Sequence, residues 1–213
     1  MNFGEFAGVS WETFNRDIRD RHFYKFHRGG DSLGFRELFL RSGRIDPPTV
    51  TILDPKFKGN CIDSNESMYV INGDVCRNSK TADIANMLSA EFYPQETLVG
   101  ANFYVANKVG MPSFSPHCDV DDNFVVHVEG SVRWTLYKNK FYTSSRSTDL
   151  QASPIILDEF TMTPGDVLYI PCFRYHHAQS LTPRISVSFP VRQLADPREH
   201  YLAMSTEASV YSK

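Results

Sequence analysis

His117 and Asp119, two residues apart in Ser115-Pro116-His117-Cys118-Asp119, are the side chains most able to share a chemical task. In an extended segment residues i and i+2 point to one side, so this imidazole and this carboxylate can reach a common metal ion while Cys118 turns away. A third ligand has to come from elsewhere. MTPGDVLYIPCFRYHHAQ, some sixty residues on, supplies a turn, an apolar strand and the pair His176-His177. Two histidines and one carboxylate suit non-haem iron and leave coordination positions open for reactants. Taken alone, His-x-Asp also suits a surface turn, because seven His and 25 acidic residues make the tripeptide easy to meet by chance. The ordered combination with the downstream turn, strand and histidines is what points to a metal.

Such ligands need rigid elements to hold them. From Leu98 the sequence reads as β-structure: LVGANFYVAN, NFVVHVEGSVRWTLYKN, SPIILDEFTMTPGDVLYIP and RISVSFPV are strand-like and separated by Gly, Pro, Asn and Asp. The front half is mixed. Ser10 is placed to cap a short amphipathic helix with Trp11, Phe14 and Ile18 at helical spacing, FYKFHRG alternates like a strand, and GFRELFLRSG reads as a second helix closed by glycine. Pro47-Pro48 breaks the chain, TVTILD is a β-branched strand, and KTADIANMLSAEF carries Ile84, Met87 and Leu88 on one helical face. A polar SSRSTDLQAS loop joins two strands, Gly165-Asp166 marks a turn in which Asp166 is structural, and the tail after Leu194 is polar. His127 is out of phase with Val126, Val128 and Val132, which places it outside the metal pocket.

Composition narrows the classes. At 213 residues one domain is expected over 1–213, with a mixed part at 1–95, a barrel core at 96–193 and a tail at 194–213. Sixteen Phe and ten Tyr provide a core without disulfides, and the four cysteines form no Cys-x-x-Cys pair, which fits a reduced, cytoplasmic setting. A net charge of -3 with scattered basic residues disfavours nucleic acid as a partner. No stretch is apolar enough for a membrane span, and the N-terminus lacks the features of a signal peptide.

The segments from ANFYVANKVGMPSFSPHCDVDDNFVVHVEGSVRWTLY to MTPGDVLYIPCFRYHHAQSLTPRISVSFPV resemble the Jumonji-C and cupin-like 2-oxoglutarate oxygenases, in particular the ribosomal-oxygenase-like protein hydroxylases. The pieces that carry the likeness are P-H-x-D, a strand ending in E-G-x-x-x-W, and P-G-D-x-L-Y-x-P before a distal histidine, all in order. The resemblance implies a mainly β fold with flanking helices: a double-stranded β-helix, or jelly-roll barrel, with the metal at one mouth. The family's spacing, five residues past the proline of Y-x-P, selects His176 over His177, so the implied ligands of Fe(II) are His117, Asp119 and His176.

The chain departs from these relatives at the co-substrate clamp. A Lys or Arg usually stands two residues before the strand's Trp, where this chain has Val132, and Arg133 is one residue out of phase. Arg184-Ile185-Ser186, eight residues after His176, looks like the R-x-S motif with which other members hold the 2-oxoglutarate carboxylate. Arg184 and Ser186 share a strand face, and a guanidinium binds a carboxylate through two parallel hydrogen bonds. The bland reading of Arg184 is an exposed strand residue with a surface ion pair. Asn102 and Tyr104 alternate on an earlier strand and are read as pocket residues, with a ladder Asn and a core Tyr as the alternative. Cys118 and Cys172 are read as packing residues.

The likeness implies an oxygenase that consumes O2 and 2-oxoglutarate to hydroxylate a C–H bond, with Asp119 favouring hydroxylation over halogenation. A protein or peptide side chain is the implied substrate. A small metabolite or natural product, a metal-binding cupin that uses no 2-oxoglutarate, and a catalytically dead binding module are the competing readings.

Overall fold

A computed structural model describes residues 1–19, 23–27, 50–52, 68–71, 79–92, 97–106, 109–110, 116–119, 121–139 and 152–193. The expected second helix GFRELFLRSG, the break at Pro47-Pro48, residues 144–151 of the polar loop and the tail after Leu194 lie outside them.

Two short helices begin the chain. The first, α1 (Phe3–Ala7), was not anticipated, although its signal is local: Asn2 accepts from the Glu5 N–H while the Glu5 carboxylate accepts from the Asn2 N–H. Helix α2 (Trp11–Asp17) follows with Ser10 as the cap, its Oγ accepting from the Thr13 N–H. Strands β1 (Tyr24–His27) and β2 (Val50–Ile52) form where expected, and β3 (Met68–Ile71) adds a strand the periodicity did not suggest. Helix α3 (Ser79–Phe92) buries Ile84 and Leu88.

The remaining strands complete the barrel. They are β4 (Thr97–Val99), β5 (Asn102–Ala106), β6 (Asp122–Glu129), β7 (Val132–Asn139), β8 (Ala152–Met162), β9 (Asp166–Ile170), β10 (His176–Ser180) and β11 (Arg184–Gln193). LVGANFYVAN thus folds as two strands where one stretch was expected. Both pair with β11, and Gly100 between them donates its N–H to the Pro190 carbonyl at the point where proline can offer no N–H of its own.

The major sheet runs β1-β9-β6-β11-β5-β3-β2, with β4 also on β11; the minor sheet runs β10-β7-β8, and every pairing is antiparallel. This is the double-stranded β-helix. The major sheet is buried on both faces. One face packs Phe124, Val126, Val128, Tyr169, Val187 and Phe189 against Phe3, Phe6 and Phe14 of the helices. The other turns Val125, Leu168 and Ile170 toward Val132, Trp134 and Ala178 of the minor sheet. His127 is in phase with Val125, so it lies on the barrel's inner face; Val126 and Val128 face the helices, and Val132 belongs to the minor sheet.

Asp166 holds the turn into β9. Its buried carboxylate accepts from the Thr163 N–H at 2.7 Å, from Lys25 at 3.2 Å and from His27 Nδ1 at 2.8 Å. Burial alone would raise its pKa, but these donors outweigh it and hold the group below the ordinary value of 3.8. A depressed acid stabilises the fold above its unfolded pKa and loses that contribution as pH falls through the folded one. Asp166→Asn should therefore lower stability at pH 7, and the gap to the parent should shrink as denaturation curves are taken below pH 3.8. A gap independent of pH would show that the charge plays no part.

Among the described residues no helix is long and apolar enough to cross a membrane.

Candidate metal centre

Backbone pairing brings the distant candidate ligands together. The His117 N–H donates to the His176 carbonyl at 3.1 Å and the His176 N–H donates back at 2.8 Å, an isolated antiparallel bridge at the barrel mouth. The imidazole centroids stand 4.5 Å apart. Asp119 lies between them, with Oδ1 3.7 Å from His117 Nε2 and Oδ2 3.7 Å from His176 Nε2. One ligand atom from each of His117, Asp119 and His176 lies within 4.8 Å of the others. His177 points away on β10, where burial alternates along the strand.

The surroundings leave these groups in a state that suits a cation. His176 is 4% exposed, and burial pushes its pKa down to about 4 against the opposing field of Asp119, so the ring is neutral near pH 7. Its Nδ1 lies 2.8 Å from the Arg174 carbonyl, which can only accept. The proton therefore sits on Nδ1 and the Nε2 lone pair faces Asp119. The loop that carries Arg174 is anchored twice: Phe173 donates its N–H to the Asp119 carbonyl at 2.7 Å, and Cys172 donates its N–H to the buried Asp122 carboxylate at 2.8 Å. Phe173 has φ of 59°, a left-handed conformation that a residue with a side chain adopts only under such constraint. Burial, then Asp119, raises the Cys118 pKa to about 12, so this thiol stays protonated and stands outside the ligand set.

Behind the ligands is a cavity of about 380 Å³, counting its open mouth, lined by Tyr104, Asn123, Val125, Trp134, Ala178, Arg184, Ser186 and Ser188 as well as the three ligands. Two hydrogen-bonded chains run along its wall. In the first, Ser188 donates to Asn123 Oδ1 at 2.6 Å, which turns the Asn123 amide toward Asp119 Oδ2 at 3.4 Å, and Tyr104 shares a hydrogen bond with Ser188. Burial is the main reason that the Tyr104 pKa rises to about 12, keeping the phenol a donor. In the second, the Arg184 guanidinium donates through Nε to Ser180 Oγ at 2.9 Å and through an Nη to Ser186 Oγ at 3.0 Å. Arg184 is 2% exposed and burial lowers its pKa to about 10, so the surface reading of this residue does not hold.

Of the pocket residues read from sequence, Tyr104, Arg184 and Ser186 line the cavity. Asn102, half-buried two residues before Tyr104, is not in the lining. Val132 is fully buried, and Arg133 points outward toward Glu159 at 3.9 Å. Asn123, Trp134 and Ser188 went unremarked as pocket residues in the sequence reading. Asn123 had a signal, since it stands four residues after Asp119, two residues before Val125 on the same strand face.

A family model described as JmjC domain matches residues 75–196, over half of the chain. Among curated proteins, the chain is 33% identical over 157 residues to a bifunctional lysine-specific demethylase and histidyl-hydroxylase NO66 of Drosophila yakuba, covering 68% of this chain and 20% of that protein. It is 33% identical over 87 residues to ribosomal oxygenase 2 of Bos taurus, covering 39% of this chain and 18% of the other. The chain thus spans about a fifth of the length of these relatives. Among solved structures, the Escherichia coli ribosomal oxygenase YcfD in complex with cobalt and 2-oxoglutarate superposes with a TM-score of 0.63 over 91% of this chain and 54% of that one. The identity there is 16%, a likeness of fold. With its barrel, its convergent His-Asp-His set and the match over residues 75–196, the chain belongs to the JmjC domain family.

Proposed function

We propose that this chain is an Fe(II)- and 2-oxoglutarate-dependent oxygenase that hydroxylates a C–H bond in a protein or peptide side chain. The observation that carries the reading is the convergence of His117, Asp119 and His176 at the mouth of a cavity whose wall holds a buried arginine. Two imidazole nitrogens and one carboxylate are the donor set that suits iron(II) and leaves positions free. Bound there with 2-oxoglutarate, iron would activate O2, the oxidant that turns co-substrate and substrate C–H into succinate, carbon dioxide and substrate C–OH.

The protein's part is to hold and orient. The Arg174 carbonyl presents His176 Nε2, the Asn123 amide steadies Asp119, and the buried Arg184, beside the Tyr104 phenol, offers a carboxylate a rigid cationic partner. Val125, Trp134 and Ala178 keep the wall apolar and limit access of water. Val132 leaves the family's usual clamp position without a charge, which makes Arg184 the candidate for that duty. The substrate class is supported by relatives named for histidyl hydroxylation, lysine demethylation and ribosomal oxygenation. Demethylation is itself hydroxylation at an N-methyl carbon. We read the whole as one domain working in a reduced, cytoplasmic setting.

Purified protein given iron(II), ascorbate and O2 should convert 2-oxoglutarate to succinate slowly without substrate, and faster with the right peptide. Binding of iron with no succinate formed under any peptide challenge would favour the cupin that uses no 2-oxoglutarate.

A further inference from the structure

His127 stands outside the cavity lining, yet it is 1% exposed, and both ring nitrogens are engaged. It sits directly across β6–β11 from Ser186, and Ser186 sits directly across β11–β5 from Tyr104, so the three form one row on the inner face of the major sheet. Nδ1 lies 2.9 Å from Ser186 Oγ and Nε2 lies 3.0 Å from the Gly130 carbonyl.

Proton bookkeeping fixes the direction of each bond. The Gly130 carbonyl can only accept, so Nε2 carries a proton. Burial pushes the His127 pKa down to about 4, with Arg184 acting the same way, so the ring is neutral at working pH and Nδ1 is an acceptor. Arg184 can only donate. Ser186 has one proton, which goes to His127 Nδ1, and its oxygen accepts from the Arg184 Nη. The order is then Arg184 to Ser186 to His127 to Gly130, each group donating to the next.

We infer that His127 is a positioning residue for the co-substrate clamp: it fixes the Ser186 hydroxyl so that the oxygen, not the hydrogen, faces Arg184, and thereby sets the plane of the guanidinium. The inference rests on the oxygenase reading above. It gives Ser186 a different task from its neighbour, since a hydroxyl whose proton is held by His127 has none to donate to a ligand carboxylate. Arg184 is the group of the pair that meets the co-substrate, and Ser186 and Ser180 hold it from behind. With the Nδ1 acceptor gone, the Ser186 hydroxyl turns toward other acceptors and Arg184 loses one of its two hydroxyl anchors.

Two near-isosteres separate this role from simple packing. His127→Asn keeps an acceptor at the δ position facing Ser186; His127→Gln keeps an N–H at the ε position for Gly130 and places no acceptor at δ. Calorimetric titration of 2-oxoglutarate into manganese-loaded protein should show Kd raised about tenfold in His127→Gln, the order of what one lost hydrogen bond to a charged group costs. His127→Asn should stay within about twofold of the parent, and manganese affinity should be unchanged in both. Ser186→Ala, which removes the link with little risk to the fold, should match His127→Gln. Equal weakening in His127→Asn and His127→Gln, or full affinity in Ser186→Ala, overturns the inference. Arg184→Ala separates this failure from that of the underlying reading. If it too leaves 2-oxoglutarate affinity intact, the clamp assignment falls; if it weakens binding while Ser186→Ala and His127→Gln do not, only the role of His127 falls.

Discussion

His176→Ala is expected to remove iron-dependent turnover of 2-oxoglutarate and to weaken divalent-metal binding by at least about a hundredfold, while the melting temperature changes little. The lower bound follows from the loss of groups that only hydrogen-bond to a metal-binding side chain, which already costs about 10- to 100-fold; here a proposed direct donor is lost, the most buried of the three. The fold should tolerate the change because the bonds that join the two segments are backbone bonds, from the His117 and His176 N–H groups to each other's carbonyls, and alanine at 176 can make them. His177→Ala is the matched control: its half-buried ring is next in sequence but on the other side of β10, and its loss should leave metal affinity within about twofold. Equilibrium titration with manganese and succinate formation read both variants. The assignment of the distal ligand is wrong if His177→Ala loses the metal and His176→Ala keeps it.

The convergence of these three side chains was legible because its information is local. His117 and Asp119 needed only the two-residue period of extended chain, and His176 needed a fixed distance from Pro171. The wall of the cavity was harder to read, and β6 shows why. Seven of its eight residues are buried, in an unbroken run, because both faces of the major sheet are covered. A strand buried on both faces has no polar alternation to say which face is which. His127, compared with Val126, Val128 and Val132, was placed outside the pocket, and it does not line the cavity; yet on its own strand it shares the inner face with Asn123 and Val125, while Val126 and Val128 face the helices. Ser188 and Asn123 meet across β11–β6, and which strands neighbour each other is decided by the folding of the whole sheet, not by any short stretch. Arg184 escaped this difficulty since the R-x-S spacing lies within one strand.

Gly130→Ala should destabilise the protein by about 3 kcal/mol or more, and in doing so loosen the clamp. Gly130 has φ of 77°, a conformation that costs a residue with a Cβ roughly 1–2 kcal/mol. The steric problem is worse. An added Cβ would fall 1.9 Å from the Pro183 carbonyl oxygen and 2.6 Å from Thr182 Oγ1. That neighbour cannot easily retreat: Ser131 donates its N–H to Thr182 Oγ1 at 2.8 Å, and Leu181 and Thr182 donate theirs to the Ser131 carbonyl at 2.9 and 3.3 Å, lacing the β6–β7 turn to the β10–β11 turn. Relief by backbone movement must break some of these bonds, and overpacking of this kind adds roughly 1–3 kcal/mol. For a chain of this length each kcal/mol lowers the melting point by about 2–4 °C, so a fall near 10 °C is expected. The Gly130 carbonyl also receives the His127 proton, and residues 181–183 lead directly into Arg184. Any folded fraction should accordingly bind 2-oxoglutarate more weakly than the parent while its manganese affinity is kept. A melting point within about 2 °C of the parent would mean that the two turns yield freely, and the glycine of the E-G-x-x-x-W segment would then have no steric reason to be there.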